Sequence, residues 1–194
     1  MTGRSKLNRF TVGTLVLTGL AACNGQDAGP LDVDRATASA TAAHSARHGD
    51  VPITPEVSRW LAGLKQATAR FHDIAAAVEA GWSAQITECM ELPGTGGMGY
   101  HYGNVGLIDA VAEEFAPELL VYEPQKNGRK RLVAVEYIIP FDAWTETAAP
   151  SLHGVDFHRN EVFGLWVLHA WVWKHNPAGI FADWNPNVSC AFAQ

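Results

Sequence analysis

The residue least suited to its surroundings is Glu136, which interrupts the apolar run from Leu132 to Ile139. A carboxylate in such a run must meet a cation, a metal ion or several hydrogen-bond donors, or else take up a proton. Two interpretations stay open. Glu136 has either a structural explanation, an ion pair, for example with Arg70 or Arg159, or a position on an exposed edge strand, or it carries function.

A second ionisable residue in an apolar setting is His169. Period-two alternation along a strand places its imidazole on one sheet face with Leu165, Val167, Trp171 and Trp173. An imidazole among indoles suits a ligand cavity. It equally suits a core histidine bonded to a backbone carbonyl.

A third candidate, His101, lies between two tyrosines directly after a glycine-rich run. Five of the eleven residues from Pro93 to Gly103 are glycine, which allows the backbone to approach a ligand closely. The run is not a phosphate loop, because no Gly-Lys-Ser/Thr follows it.

Together, His101, Glu136 and His169 form a two-histidine, one-carboxylate set. Such a set suits zinc, iron or manganese and leaves coordination positions open for water or substrate. The alternative is three unrelated buried polar residues, since the three come from separate segments. The aromatic residues predicted to line an accompanying ligand pocket are Tyr100, Tyr102, Trp171 and Trp173.

Several catalytic motifs are missing from the sequence. It contains no His-Glu-x-x-His, no Cys-x-x-Cys-His and no Gly-x-Ser-x-Gly. Nucleophilic catalysis is therefore unsupported, and the expected cofactor is a divalent transition metal such as zinc or iron. The identity of the metal or ligand, and whether there is turnover, stay open.

These residues need elements to position them, and the first is a helix. Thr54 suits an N-cap and Pro55 a first helical position, and Gly81 ends the pattern. Between them, one apolar stripe recurs at three- and four-residue steps and predicts a single long amphipathic helix. The residues of this stripe are Val57, Trp60, Leu61, Leu64, Thr68, Phe71, Ile74, Ala75 and Val78.

The remaining pattern indicates strands. The dipeptide Asn127-Gly128 predicts a β-hairpin, and a two-residue turn there would place Leu119 opposite Glu136 and Glu123 opposite Leu132. A third strand is predicted over residues 162–174, and residues 175–194 read as irregular. The expected fold is α+β: a long N-terminal amphipathic helix packed on a small, mainly antiparallel sheet, in one domain over residues 51–194.

The N-terminus has the pattern of a secretory signal peptide. Three basic residues, Arg4, Lys6 and Arg9, precede an apolar run from Phe10 to Leu20. The run is about half the length that spans a bilayer.

The four residues that follow carry a resemblance. Leu20-Ala21-Ala22-Cys23 resembles the lipobox of bacterial lipoproteins, which implies cleavage after residue 22 and a diacylglyceryl group on Cys23. Residues 23–50 are then a flexible tether, poor in large apolar residues. The resemblance implies an exported protein held on a bacterial membrane. Asn24 after the cysteine favours the outer membrane or cell surface over the inner membrane, if the host has two.

The other two cysteines, Cys89 and Cys190, form an even pair, which in an exported protein is most simply a disulfide. The alternative, two thiolates on a metal, lacks Cys-x-x-Cys spacing. The disulfide would tie the irregular C-terminus to the loop after the helix.

Charge excludes one class of partner. The chain has 14 Lys and Arg against 20 Asp and Glu, and loss of residues 1–22 would remove three basic and no acidic residues, leaving 11 against 20 and a net charge of −9. An acidic domain is a poor nucleic-acid binder, and lipid would have to supply the membrane attachment.

Three sequence blocks carry a further resemblance over roughly residues 65–190. They are Met-Gly-Tyr-His-Tyr, Val-Ala-Val-Glu-Tyr and Leu-His-Ala-Trp-Val-Trp-Lys-His-Asn-Pro. They resemble a family of uncharacterised exported bacterial proteins, which implies one coherent domain and no particular activity. The expected function is a lipoprotein that binds a small ligand or metal ion in an aromatic-lined pocket. The alternatives are a metal-dependent enzyme using the same three residues and a structural envelope lipoprotein.

Overall fold

The computed structural model describes residues 51–194. The predicted signal peptide, the lipidation site Cys23 and the tether over residues 23–50 lie outside this part of the chain. None of the helices within residues 51–194 is both long and apolar enough to cross a bilayer.

The predicted long helix is wrong, because the helical segment is short and interrupted. Helix α1 spans Pro55–Thr68, a 3₁₀ turn follows over Ala69–His72, and a six-residue helix α2 covers Ile74–Glu79. The interruption is at Asp73, whose extended backbone leaves the helical conformation and whose carboxylate accepts the N–H of Ala75 at 3.0 Å. A side chain that caps a new helix competes with continuation of the old one.

The two ends of this segment follow the sequence. Thr54 accepts the Val57 N–H at 3.2 Å and so caps α1. Gly81, at a φ of 110°, ends α2. There, the Gly81 and Trp82 N–H groups bond back to Val78 and Ala77, the pairing of a Schellman motif, which needs the left-handed conformation that glycine adopts readily.

Strands make up most of the regular secondary structure within residues 51–194, so the expected α+β fold, a long N-terminal amphipathic helix packed on a small sheet, is wrong. Seven strands form one antiparallel sheet in the order β1-β3-β4-β5-β9-β8, with β2 paired to β3, and β6 and β7 form a separate hairpin. The strands are β1 (Ala84–Gln85), β2 (Met90–Leu92), β3 (Gly96–Gly103), β4 (Leu119–Pro124), β5 (Lys130–Pro140), β6 (Ser151–Leu152), β7 (Val155–Asp156), β8 (His158–Asn160) and β9 (Leu165–Ala170).

The hairpin between β4 and β5 forms at the predicted place with a different turn. Gln125 and Arg129 close a three-residue loop, and Gly128 at a φ of 75° supplies its left-handed residue. Glu123 therefore faces Arg131 rather than Leu132. A bulge after Val121 restores the register, so that Leu119 faces Glu136 as predicted.

The two faces of the sheet are covered differently. Helix α1 packs on one face through Trp60, Leu61 and Leu64, against sheet residues such as Tyr137 and Leu168. The C-terminal segment contributes to both faces: Phe181 stacks on Trp60 at 5.8 Å beneath α1, and Val188 packs with Val121 on the other face. The predicted disulfide between Cys89 and Cys190 is confirmed, with Cα atoms 5.8 Å apart.

Candidate metal centre

The three residues singled out from the sequence converge. His101, Glu136 and His169 each offer a ligand atom, and these atoms lie within 4.8 Å of one another. Nε2 of His101 is 3.4 Å from Oε2 of Glu136, and Nε2 of His169 is 3.7 Å from Oε1 of the same carboxylate. Glu136 therefore lies between two imidazoles, and the ion pairs with Arg70 or Arg159 considered for it do not form.

Sheet register brings the three side chains together. Glu136 on β5 and His169 on β9 are directly opposed, and Leu119 on β4 is the neighbour of Glu136 on its other side. His101 on β3 pairs with Val121, two residues further along β4. Because side chains alternate between faces with period two, all of these residues lie on the face turned away from α1.

Each histidine has a second polar neighbour behind it. Oγ1 of Thr87 is 2.8 Å from Nδ1 of His101 and also accepts the His101 backbone N–H at 3.3 Å. Oδ1 of Asp183 is 3.4 Å from Nδ1 of His169. Oδ2 of Asp183 is in turn 3.1 Å from Nε2 of His158. The result is a row of alternating imidazoles and carboxylates: His101, Glu136, His169, Asp183 and His158.

Because the groups of this row are buried, the charge of each one affects the pKa of its neighbours. Glu136 keeps 7% of its surface exposed and His169 only 1%. Burial raises the pKa of Glu136, against the opposing effect of His169. Burial alone would lower the pKa of His169, but Glu136 and Asp183 outweigh it and the pKa is raised.

His101 and Asp183, which flank the pair Glu136 and His169, differ in protonation. Burial, with a smaller contribution from the charge of His169, lowers the pKa of His101 to about 3, so this imidazole is neutral at physiological pH. Burial alone would raise the pKa of Asp183, yet the neighbouring imidazoles of His158 and His169 hold this pKa well below its usual range. Asp183 is therefore the fixed negative charge behind His169.

The donor set fits a transition-metal ion. Bonds of about 2.0–2.1 Å in tetrahedral geometry place ligand atoms about 3.3 Å apart, close to the 3.4 and 3.7 Å separations from Glu136. Histidine ligands commonly donate their second ring N–H to a carboxylate or another oxygen, which is where Asp183 and Thr87 lie. Within the range 51–194 neither ring nitrogen of His169 makes a hydrogen bond; Nδ1 faces Asp183 at 3.4 Å and Nε2 faces Glu136 at 3.7 Å.

The three residues line a cleft of about 930 Å³ on the same sheet face. This volume is at the upper end of the range for small-molecule sites. The aromatic residues that border it are Phe157, Phe163, Trp166 and Trp184.

The structure places the four aromatic residues predicted for the pocket elsewhere. Tyr100 and Tyr102 point to the face opposite His101, with the Nζ atom of Lys130 over both rings. Trp173 donates to Oγ1 of Thr68 on the helix side. Trp171 is closest to the site, with its ring stacked 6.2 Å from that of His169, but it lies in a separate apolar cluster and does not line the cleft.

Sequence reasoning missed Asp183, His158 and Thr87. Asp183 had a detectable signal, because it interrupts the apolar residues Phe181, Ala182 and Trp184 much as Glu136 interrupts its strand. His158 lies on β8 and is buried. Thr87 carries no sequence signal.

No protein-family model, no curated protein and no solved structure matches the chain.

Proposed function

We propose that this protein binds a divalent transition metal ion, zinc or iron, through His101, Glu136 and His169 at the inner end of the cleft. The observation that carries the proposal is the convergence of three ligand atoms within 4.8 Å from three different strands. Two imidazoles and one carboxylate with space beside them are the donor set of many zinc and iron sites.

The partners behind the histidines support a metal over a merely structural network. A buried imidazole nitrogen without a hydrogen bond costs free energy, and Nε2 of His169 is in that condition. A metal ion would satisfy this nitrogen and balance the charge of Glu136. Asp183 and Thr87 lie where they would fix the orientation of the two rings.

The cleft supports binding of a second molecule beside the metal. Three protein ligands leave at least one coordination position for water or another ligand, and the same three residues line the cleft. Metal-dependent catalysis there is the alternative function, and a structural envelope protein with no small-molecule site is the third.

Metal titration of the purified chain, made without a histidine tag, tests the proposal. We expect one Zn²⁺ per chain, and Co²⁺ should give the d–d absorption of a low-coordinate site. His169→Ala should lose this binding. His72→Gln and Glu118→Gln are matched controls, because they remove a histidine and a buried carboxylate outside the site, and both should bind like the wild type. Absence of stoichiometric uptake would refute the metal centre.

We also propose that the chain is an exported lipoprotein anchored through Cys23. The basic start, the apolar run and the sequence Leu20-Ala21-Ala22-Cys23 support this, and a disulfide fits an oxidising compartment. Mass spectrometry of the N-terminal peptide of the protein from bacterial membranes should find a diacylated Cys23. A Cys23→Ser variant should leave the membrane fraction. An unmodified cysteine on a processed chain would contradict the anchor.

A further inference from the structure

The cleft has an apolar floor that starts at the metal centre, and polar side chains of β8, His158 and Asn160, lie beside this floor opposite Val167 and Leu165. The ionisable groups of the cleft include the metal centre and its neighbours, with Glu136 and His169 directly opposed across two strands. The next cross-strand pairs on the same two strands are Ile138 with Val167 and then Pro140 with Leu165. Of these residues, Ile138, Val167 and Leu165 line the cleft, so apolar side chains extend along β9 from His169 to Leu165 for about 13 Å, at about 3.3 Å per residue.

This row of apolar side chains, which we call the lane, continues to an exposed rim. Leu119, Ile138 and Val167 pack together as its floor. At its outer end, the β8–β9 turn presents Val162 and Phe163, which are 64% and 54% exposed and border the cleft. Two adjacent large apolar residues left in water at the mouth of a cleft indicate a surface that an apolar ligand can cover.

We propose that the cleft takes a single-chain amphiphile whose alkyl chain lies along this lane and whose oxygen head group reaches the metal at His101, Glu136 and His169. The proposal rests on the metal centre proposed above. An apolar floor that begins at the metal centre matches a molecule with an alkyl chain and one polar head group. A carboxylate head group supplies the oxygen ligand that would complete the metal's coordination.

Calorimetric titration of alkyl carboxylates into the zinc-loaded full chain tests this assignment. From octanoate through decanoate and dodecanoate, each added methylene should tighten binding about three- to fourfold, the effect of burying one methylene. The gain should stop once the chain is longer than the lane. Binding that does not depend on chain length, or no binding of any member of the series, overturns the proposal.

Two matched surface variants test where the alkyl chain of the ligand lies. Phe163→Ser removes an exposed phenyl at the cleft mouth, and Phe192→Ser removes one that is 48% exposed and does not border the cleft. Neither side chain is buried, so both variants should fold. We expect Phe163→Ser to weaken dodecanoate binding several-fold and Phe192→Ser to leave it unchanged. Equal effects would place the alkyl chain elsewhere and refute the lane.

Comparison of dodecanoate with 1-dodecanol separates the two proposals. With zinc bound, the carboxylate should bind at least tenfold more tightly, and this preference should vanish in Glu136→Gln. Zinc uptake is measured independently on the same samples. Zinc uptake without alkyl binding overturns the amphiphile and leaves the metal centre intact. Chain-length dependence in a protein that takes up no zinc refutes the metal centre and, with it, the proposed position of the head group.

Discussion

The two faces of the central sheet bury different kinds of side chain. On the face under α1, buried apolar residues such as Leu64 pack together, and buried hydroxyls have ordinary partners, as Tyr122 does in donating to the carbonyl of Phe71 at 2.7 Å. On the other face, Glu136, His169 and Asp183 are buried beside a cleft. One face carries the burial that stabilises folding, and the other carries ionisable groups whose burial has a cost.

If this division is correct, a cavity in the helix face should have the largest effect on stability. Leu64 is fully buried, so Leu64→Ala should lower the free energy of unfolding by about 2–5 kcal/mol. Zinc affinity of the folded variant should stay unchanged. Urea denaturation followed by zinc titration measures both. Gln66→Ala, at an exposed position on the same helix, is the control, and a loss of zinc affinity in Leu64→Ala would show that the faces are coupled.

The converse change belongs to the cleft face. Glu136→Gln keeps the shape of the side chain and removes its charge, so zinc affinity should fall by more than about 100-fold, beyond what loss of an outer partner causes. Unfolding should change by only about 1 kcal/mol or less, because Asp183 still faces His169 at 3.4 Å. Competition with a chelator gives the affinity. Severe destabilisation with unchanged zinc affinity would reassign Glu136 to a structural role.

A smaller loss of zinc affinity is expected at Asp183, which contacts the proposed ligand His169 and not the metal. Asp183→Asn removes the negative charge behind His169, and zinc affinity should fall by about 10–100-fold. Asp156→Asn is the control, because Asp156 borders the cleft but makes no ion pair with the histidines among the described residues. Equal affinities in the two variants would show that Asp183 does not support the site.

Acid should weaken metal binding. Zinc needs neutral His169 and ionised Glu136, and both have a raised pKa, so both carry protons that the metal must displace as pH falls. His101, with a pKa of about 3, adds nothing above pH 4. Affinity should therefore drop about tenfold per pH unit for each proton displaced, measured by titration between about pH 5 and 7. A flat profile would contradict binding through these groups.

The smallest effect is at the edge of the helix face. Thr54→Ala removes the N-cap of α1 and should cost about 1 kcal/mol, while Thr54→Ser should keep most of it because a hydroxyl remains to accept the Val57 N–H. Thermal denaturation measures both, and zinc affinity should be unaffected. Equal stability of the two variants would show that the Thr54 hydroxyl does not stabilise α1.

Local sequence rules predicted the short-range features. Thr54, Gly81 and Asn127-Gly128 are at a helix cap, a helix end and a hairpin, because each depends only on neighbouring backbone. The continuous helix was wrong because an apolar stripe does not register a side chain such as Asp73 that starts a new helix. Strand count and order depend on long-range pairing, which the sequence pattern does not specify.

Part of the site was predictable, because polar residues within apolar strands are expected to be buried and to need partners. Glu136 and His169 stood out because charged or polar groups in apolar strands need partners. Their convergence with His101 required the register across β3, β4, β5 and β9. Period-two alternation places Tyr100 and Tyr102 on the face opposite His101, so their exclusion from the cleft follows once residues 96–103 are known to form a strand. Asp183 was not predictable, because the C-terminal segment supplies it from a distant part of the chain.

The most direct test of the central claim is a crystal structure of the zinc-loaded chain with anomalous scattering at the zinc edge. Our account predicts one strong peak within about 2.0–2.2 Å of His101, Glu136 and His169. A peak at other histidines, or none at these three residues in crystals of protein that has taken up zinc, would contradict it.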